Sequence, residues 1–221
     1  EESKAVTASM GYAPVRYHTL MLAAWRGAVS EAEDICAAAA SDGAARGEGR
    51  LLGLSSFSRA VLYNGLGRYH EALAEARRCC EYEDLGFYGW CLYELIEAAV
   101  HAGDYEAAAA AFPLFEARAG ASGTDWGRGA VAAAQALLAD NDEAESAFLE
   151  AIERLQRADI ALHLSRVRLS YGEWLRRANR RTDARRHLGD AHQMFTTMGA
   201  QGFAERARRE LVAIGAKVRK Q

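Results

Sequence analysis

The stretch that decides the fold is Gly67-Arg68-Tyr69-His70-Glu71-Ala72, because its pattern of a small residue, polar residues and a closing alanine recurs along the chain. Two close copies read Gly27-Ala28-Val29-Ser30-Glu31-Ala32 and Gly103-Asp104-Tyr105-Glu106-Ala107-Ala108. Two weaker copies read Ala139-Asp140-Asn141-Asp142-Glu143-Ala144 and Asn179-Arg180-Arg181-Thr182-Asp183-Ala184. The closing alanines are spaced 40, 36, 36 and 40 residues apart. Self-similarity at such a period is typical of repeat architectures.

Each copy of the pattern has the chemistry of a tight turn between two helices. The leading Gly or Asn can adopt the left-handed conformation that ends a helix. An acidic residue such as Glu71, Glu106 or Glu143 suits the first turn of the next helix, where the backbone dipole is positive. The closing alanine lies one turn inside that helix, where a small side chain lets two antiparallel helices approach closely. Each unit is therefore predicted to be a helix, a turn and a second helix.

Apolar residues recur at three- and four-residue steps on both sides of these turns, as in amphipathic helices. The sequence predicts an all-α helical-repeat solenoid of about five antiparallel helix pairs plus a C-terminal capping helix, as one domain over residues 1–221. Inter-unit loops are expected around Asp42–Gly49 and Gly120–Gly129. The predicted first helices are 14–26, 50–66, 86–102, 126–138 and 160–178, the second helices are 29–41, 69–83, 105–119, 141–158 and 181–198, and the last helix is 200–214.

Composition supports helix throughout and bounds the class of protein. The 221 residues are 50% hydrophobic and 26% charged, contain two prolines, and are rich in alanine, the residue with the highest helix propensity. No apolar run approaches the ~18–20 residues that cross a bilayer, and no signal peptide is evident. The four cysteines, of which Cys79 and Cys80 are adjacent, form no C-x-x-C pair and fit a reducing compartment. We expect a cytoplasmic protein, and a chain that begins at Glu1 is expected to be a piece of a longer one.

Charge is distributed unevenly along the chain. Residues 1–150 carry 11 Lys/Arg against 23 Asp/Glu, whereas residues 151–221 carry 16 against 7. A basic C-terminal third is compatible with nucleic acid or with an acidic partner. The favoured interpretation is an Arg-rich, solvated helix face, so no direct contact with nucleic acid is expected from this chain.

Two resemblances refine the prediction. Tyr63, Gly67, Tyr69 and Ala72 sit at the aromatic, glycine, aromatic and alanine places of the tetratricopeptide repeat, whose unit is about 34 residues. The units here are longer and lack the proline that closes that repeat, so the resemblance implies a tetratricopeptide-like (TPR-like) solenoid.

The second resemblance is close from Ser165 onward, over about 55 residues, and only general over the rest of the chain. The runs Arg166-Val167-Arg168-Leu169-Ser170-Tyr171-Gly172-Glu173-Trp174-Leu175, Met194-Phe195-Thr196-Thr197-Met198-Gly199-Ala200 and Phe203-Ala204-Glu205-Arg206-Ala207-Arg208-Arg209-Glu210-Leu211 resemble the last repeats of large LuxR-family transcription regulators of the MalT-like type. That resemblance implies a helical-repeat sensor arm, which in the family lies between an ATP-binding module and a helix-turn-helix domain. Neither a G-x-x-x-x-G-K-[ST] phosphate loop nor a helix-turn-helix is present in the 221 residues, so the chain itself is expected to bind neither ATP nor DNA.

Catalytic chemistry is not indicated by the sequence. The six histidines are scattered among the units, and no pair has the i, i+4 spacing of a helical metal site. No G-x-S-x-G nucleophile motif occurs, and the acidic clusters lack the glycine spacing of a calcium loop. We therefore predict no enzyme activity, no cofactor and no metal.

The resemblance to tetratricopeptide stacks implies a concave groove, lined by the first helix of each unit, as the functional surface. Aromatic residues mixed with a few charges suit a peptide, a protein, a small effector or a neighbouring domain. The alternative is that the same residues are ordinary packing between helices, as we expect for Trp25 and Trp174. The predicted groove residues are Tyr17, Met21, Phe57, Asn64, Trp90, Tyr93, Glu97, Trp126, Arg166, Glu173 and Arg176.

The leading functional hypothesis is a regulatory sensor module of a LuxR-type transcription regulator that binds an effector or partner in this groove. The alternative is a stand-alone TPR-like scaffold that bridges two proteins, and a weaker one is nucleic-acid binding through the basic third. Because truncated repeat arrays expose uncapped faces, self-association of this chain is also expected.

Overall fold

The structure, a computed structural model, describes residues 17–215, and within that range it is entirely helical. Between residues 17 and 215, eleven α-helices follow one another with short connections and no strand. None of them is both long enough and apolar enough to traverse a lipid bilayer. In chain order they are α1 Tyr17–Arg26, α2 Val29–Arg46, α3 Gly49–Leu66, α4 Tyr69–Cys80, α5 Tyr88–Ala102, α6 Tyr105–Ala121, α7 Asp125–Leu138, α8 Asn141–Arg157, α9 Ala161–Arg177, α10 Arg181–Met198 and α11 Gln201–Ala213.

Every predicted helix is present. The predicted and observed helix ends differ by at most three residues, except at the end of α2. The predicted start of the first helix, at residues 14–16, lies outside the described residues. The predicted turn chemistry is also confirmed at four of the five repeats. Gly27, Gly67 and Gly103 have φ of 74°, 75° and 81°, and Asn179 has φ of 60°. The exception is Ala139, which ends α7 in an extended conformation with ψ of 158°.

The closing alanines behave as the repeat pattern predicts. All five have no exposed surface, and each lies one turn inside the second helix of its pair: Ala32, Ala72, Ala108, Ala144 and Ala184. Acidic residues occupy the first turn of all five second helices, where they complement the positive end of the helix dipole. The six-residue pattern therefore encodes both the turn and the close contact between paired helices.

The two predicted inter-unit loops are wrong in extent. Helix α2 continues through Gly43 to Arg46 and ends at Gly47, which has φ of 64°. Helix α6 runs to Ala121, and α7 begins at Asp125 after the Thr124 side chain accepts a hydrogen bond from the Gly127 N–H at 3.0 Å. Gly43 and Gly127 lie inside helices, where they serve close packing rather than turns. A Cβ on Gly127 would lie 2.3 Å from the Ala119 carbonyl oxygen, and a Cβ on Gly43 would lie 3.2 Å from the Leu52 side chain.

The helices form two layers with different neighbours. The first helices α1, α3, α5, α7 and α9 each contact the next first helix, so they make a continuous inner layer. Over residues 17–215, the second helices contact the helices beside them in sequence but not one another. An array that is joined on the inner side and spread on the outer side curves around the inner layer. The inner faces of α3, α5 and α9 therefore approach a common centre.

Helix α11 closes this arrangement. It packs on α10 and also reaches α1, α3 and α9, which are far from it in sequence. The approach to α1 and α3 is close, because Gly202 of α11 lies against Gly27 and Gly65, and a Cβ on Gly27 would be 2.5 Å from the Gly202 nitrogen. The Phe203 ring stacks on Trp25 with ring centroids 5.0 Å apart. The C-terminal helix is thus fastened to the first pair of inner helices.

Candidate functional site

A stripe of polar residues runs along one face of α5, a helix whose other buried positions are mostly apolar. Trp90, Glu94, Glu97 and His101 follow one another at steps of four, three and four residues, which places them on one side of the helix. Glu94 and Glu97 are 2% and 1% exposed. Two buried carboxylates on one helix face require cationic partners, because an unpaired buried charge is very costly.

Arg166 of α9 supplies the first partner. Its guanidinium donates to Glu94 at 2.5 and 2.9 Å and to Glu97 at 2.5 Å, and the arginine is 2% exposed. It also lies over the ring of Tyr93, 4.9 Å from the centroid, in a cation–π contact. Asn64 of α3 completes this side of the network, because its Nδ2 donates to Glu94 Oε2 at 2.8 Å. Three inner helices are thereby joined through buried polar side chains.

Arg206 of α11 supplies the second partner and ties the last helix to the same centre. It donates to Glu173 of α9 at 2.7 and 2.8 Å, to Glu97 at 2.7 Å and to the Asn64 backbone carbonyl at 3.1 Å. Arg206 is 2% exposed, and Glu173 is 4% exposed. Paired, hydrogen-bonded guanidinium and carboxylate groups are the form in which buried charges are tolerated.

His101 joins the two arginine-centred groups. Its Nδ1 lies 2.9 Å from the Glu97 carbonyl oxygen, so this nitrogen carries the proton that is donated there. Its Nε2 lies 3.1 Å from Glu173 Oε2 and 3.2 Å from an Arg206 nitrogen. A neutral imidazole accepts from Arg206 in this geometry, whereas an imidazolium donates to Glu173. We call this set the inner network; its members are Asn64, Tyr93, Glu94, Glu97, His101, Arg166, Glu173 and Arg206.

The electrostatics of the inner network keep Glu97 and Glu173 ionised. Burial by itself would raise the pKa of Glu97, but the neighbouring guanidinium groups of Arg166 and Arg206 lower it to about 2. The same competition between burial and Arg206, aided by His101, lowers the pKa of Glu173 well below its usual range. Both carboxylates therefore hold their partners over the whole neutral range.

A second group of residues lies where the same helix faces approach the surface. Trp90, Trp126 and His163 come from the first turns of α5, α7 and α9, and the centroids of the two indole rings are 4.9 Å apart in an edge-to-face contact. Trp126 Nε1 donates to His163 Nδ1 at 3.1 Å. Burial and the nearby Arg166 lower the pKa of His163 to about 3, so the ring stays neutral and able to accept that hydrogen bond. Trp90 is 36% exposed, which makes this aromatic cluster accessible from outside.

No family model, curated protein or solved structure matches this chain. The site is therefore interpreted from its own geometry.

The eleven predicted groove residues divide into three sets. Five belong to the inner network, where they are at most 8% exposed: Asn64, Tyr93, Glu97, Arg166 and Glu173. Two, Trp90 and Trp126, belong to the aromatic cluster. The remaining four are outside both groups. Tyr17 donates to Glu48, Met21 packs against the core, the Phe57 ring lies 6.5 Å from that of Phe87, and Arg176 pairs with Glu210. Met21 and Phe57 thus pack among apolar side chains, whereas Tyr17 and Arg176 make polar contacts with neighbouring helices. Trp25 and Trp174 pack against aromatic rings, as predicted.

Sequence reasoning missed Glu94, His101 and Arg206. A usable signal existed for the first two, because they share the three- and four-residue spacing of Trp90 and Glu97 along an apolar helix. Arg206 had no such signal, since its partners lie on other helices. It fills the centre toward which the five buried groove residues point, so at those positions the interior offers no open groove while α11 is in place.

Metal and cavity chemistry add little to this picture. Within residues 17–215, no group of three or more His, Cys, Asp and Glu side chains is arranged to hold a metal ion. A surface cleft of about 310 Å³ lies among α6, α7 and α8 and is lined in part by Glu116, Arg128, Glu150 and Arg154. None of the predicted site residues lines it. A proposed function must therefore account for the inner network and the aromatic cluster.

Proposed function

We propose that this chain is a regulatory module, the TPR-like repeat arm of a LuxR-type transcription regulator, which binds an effector or a partner protein and restrains an output domain. The observation that carries the proposal is the attachment of α11 to the inner network through Arg206. The last helix of the array is thereby coupled to side chains of α5 and α9 and to the Asn64 backbone carbonyl of α3, which lies 142 residues away in sequence.

The aromatic cluster is the part of this connected set of residues that solvent and a ligand can reach. Trp90 and the network acids Glu94 and Glu97 share one face of α5, and His163 and Arg166 are one turn apart on α9. Aromatic rings that are partly exposed favour contact with apolar or aromatic groups of a ligand or partner. Contact there shifts the faces of α5 and α9, and a shift of those faces alters the distances that hold Arg206.

The proposed regulation is an equilibrium between two states of α11, one attached to the inner network and one released from it. With the network intact, α11 is fixed across the inner layer. With the network rearranged, α11 loses its charged anchor, and any domain that follows it changes position relative to the array. A ligand shifts this equilibrium only by its difference in affinity for the two states.

The first test is the length of the native polypeptide. An antibody to this domain should detect, in extract of the source cells, a band well above the 24.1 kDa mass of the chain. Peptides from that band should include a phosphate loop and a helix-turn-helix. A band at the mass of the chain itself would overturn the regulator proposal and would favour the stand-alone scaffold.

The second test is made on that native protein with a transcription reporter. Trp90→Ala removes a partly exposed ring and is expected to leave abundance unchanged while altering the response to the inducing condition. Leu85→Ala is the matched control, because Leu85 is 91% exposed and lies outside the cluster, just before α5. Equal responses from the two variants and the wild type would contradict the role of the aromatic cluster.

A further inference from the structure

The outer helices α6 and α8 do not contact each other within residues 17–215, and the surface cleft of about 310 Å³ lies between them, over the inner helix α7. Its floor is one stripe of α7, because Arg128, Val131 and Gln135 follow one another at steps of three and four residues. Glu116 lies on the α6 wall and Arg154 on the α8 wall. Three helices thus each present one face to the same space, which we call the outer cleft.

Two glycines of α7 hold the walls of the outer cleft in place. A Cβ on Gly127 would lie 2.3 Å from the Ala119 carbonyl oxygen of α6, and a Cβ on Gly129 would lie 2.9 Å from the Leu155 side chain of α8. The first turn of α7 therefore fits between α6 and α8 only because these two residues have no side chain. Arg128 lies between the two glycines in sequence and lines the outer cleft. Close packing on both sides gives the cleft a preformed shape, as a binding site requires.

Two of the charged residues that line the outer cleft have no partner among residues 17–215. Arg154 donates to Glu150 at 2.7 Å and to Asp125 at 3.1 Å, so the charges of the α8 wall are paired within the protein. Arg128 and Glu116 form no ion pair with each other or with another residue of the described range, and both are exposed. A cation and an anion that line one small space without pairing offer a ligand one group of each sign.

We propose that the outer cleft binds a small zwitterion, an amino acid or a dipeptide with apolar side chains, whose carboxylate pairs with Arg128 and whose ammonium group pairs with Glu116. A guanidinium suits a carboxylate because the two planar groups form two parallel hydrogen bonds. A ligand with negative charge alone would be repelled by Glu116, and one with positive charge alone by Arg128. Val131 and Ala132 provide the apolar part of the floor on which the side chain of the ligand packs.

The dimensions of the outer cleft limit the ligand to this size. Small-molecule sites occupy about 300–1,000 Å³, so a cleft of about 310 Å³ is at the small end of that range. Glu116 is three residues from Ala119 and Arg128 is one residue from Gly127, so the two charged residues are attached within about 6 Å of each other along the helix axes. A dipeptide, about 7 Å long when extended, spans that separation.

The test titrates the purified 221-residue chain with L-valine and with L-alanyl-L-valine at neutral pH, followed by saturation-transfer NMR of the ligand. Each zwitterion has two controls, its N-acetyl derivative, which lacks the ammonium group, and its C-terminal amide, which lacks the carboxylate. At least one zwitterion should bind saturably, with a Kd below about 10 mM, and its two controls should bind at least about tenfold more weakly. The zwitterion that binds more tightly identifies the source as a free amino acid or a peptide.

Four variants locate the bound zwitterion, with far-UV circular dichroism confirming that each is folded. Arg128→Gln and Glu116→Gln each remove one charge at an exposed position and should weaken binding at least about tenfold. The matched controls are Arg181→Gln on α10 and Glu106→Gln on α6, which remove an exposed charge of the same sign outside the outer cleft. Both controls should bind the zwitterion as the wild type does.

The titration of the wild-type chain decides the proposal without reliance on any variant. No saturable binding of either zwitterion up to about 10 mM would overturn it, as would an N-acetyl or amide derivative that binds as tightly as its parent. Binding that is unchanged in both Arg128→Gln and Glu116→Gln would also overturn it, because the zwitterion would then lie elsewhere. Since binding is measured on the chain alone, these results are separate from those that test the regulator proposal.

Discussion

The substitution Arg206→Met tests how the chain closes on itself. The variant keeps the length and apolar stem of the side chain but removes the guanidinium that donates to Glu173 and Glu97 at 2.7–2.8 Å. Glu97 retains Arg166 at 2.5 Å, whereas Glu173 retains only His101 at 3.1 Å. The larger penalty therefore falls on Glu173, because at 4% exposure it has little access to solvent that could replace the lost partner.

The expected loss of stability follows from leaving the Glu173 carboxylate buried without its arginine. Removing one member of a buried ion pair costs about 3–5 kcal/mol, because the charge left behind is uncompensated. We expect the free energy of unfolding to fall by this amount, measured by urea unfolding with far-UV circular dichroism at pH 7. The matched control is Arg208→Met, since Arg208 lies on the same helix but pairs at the surface with Glu205. Its unfolding midpoint should be that of the wild type.

A double variant separates lost attraction from lost packing. In Arg206→Met with Glu173→Leu, both members of the pair are replaced by apolar side chains, an exchange that is often neutral or stabilising for a buried pair. Most of the lost stability should return. The reasoning is refuted if Arg206→Met unfolds within about 1 kcal/mol of the wild type, or if the double variant is no more stable than the single one.

Two further predictions concern acid and the close approach of α11. The folded chain lowers the pKa of Glu97 from its ordinary value to about 2. The stabilising contribution of the Glu97 carboxylate is therefore complete above about pH 4.5 and is lost as the pH falls toward 2. A urea midpoint that stays constant from neutral pH down to pH 3 would contradict this. Gly27→Ala should destabilise the chain by more than Gly47→Ala, measured by the same unfolding assay. Both glycines are left-handed and alanine costs about 1–2 kcal/mol in that conformation, but only at Gly27 does the added methyl meet the α11 backbone; equal losses would show that α11 does not pack there.

The helices themselves were predictable because the information that specifies them is local. A glycine or asparagine that ends one helix, an acid in the first turn of the next and an alanine one turn further in all act within six residues. The structure confirms the resulting boundaries and the complete burial of the five alanines. The misjudged ends have a local explanation too. Gly43, Gly127 and Gly129 are compatible with either a turn or a close helix contact, and residue type alone does not distinguish the two.

The candidate site was likewise predictable only where the information is local. Periodicity on α5 and α9 was sufficient to select Glu97, Arg166 and Glu173 as residues of the inner face, and the same periodicity contains Glu94 and His101. Whether that face is open or filled was not encoded in any local pattern. The answer depends on the curvature accumulated over five helix pairs.

Tertiary structure alone decided that α11 returns to the centre. The contact between Arg206 and Glu97 spans 109 residues of sequence, and it exists because the last helix packs against α1 and α3 as well as against its neighbour α10. Small rotations between successive helix pairs add up, so an arginine in the final helix finds its carboxylates on α5 and α9 rather than on its neighbour. The sequence by itself determined eleven helices and their order. The buried charge pairing that fastens them was set by packing among helices distant in the chain, because a buried carboxylate is stable only where the fold delivers a cation to it.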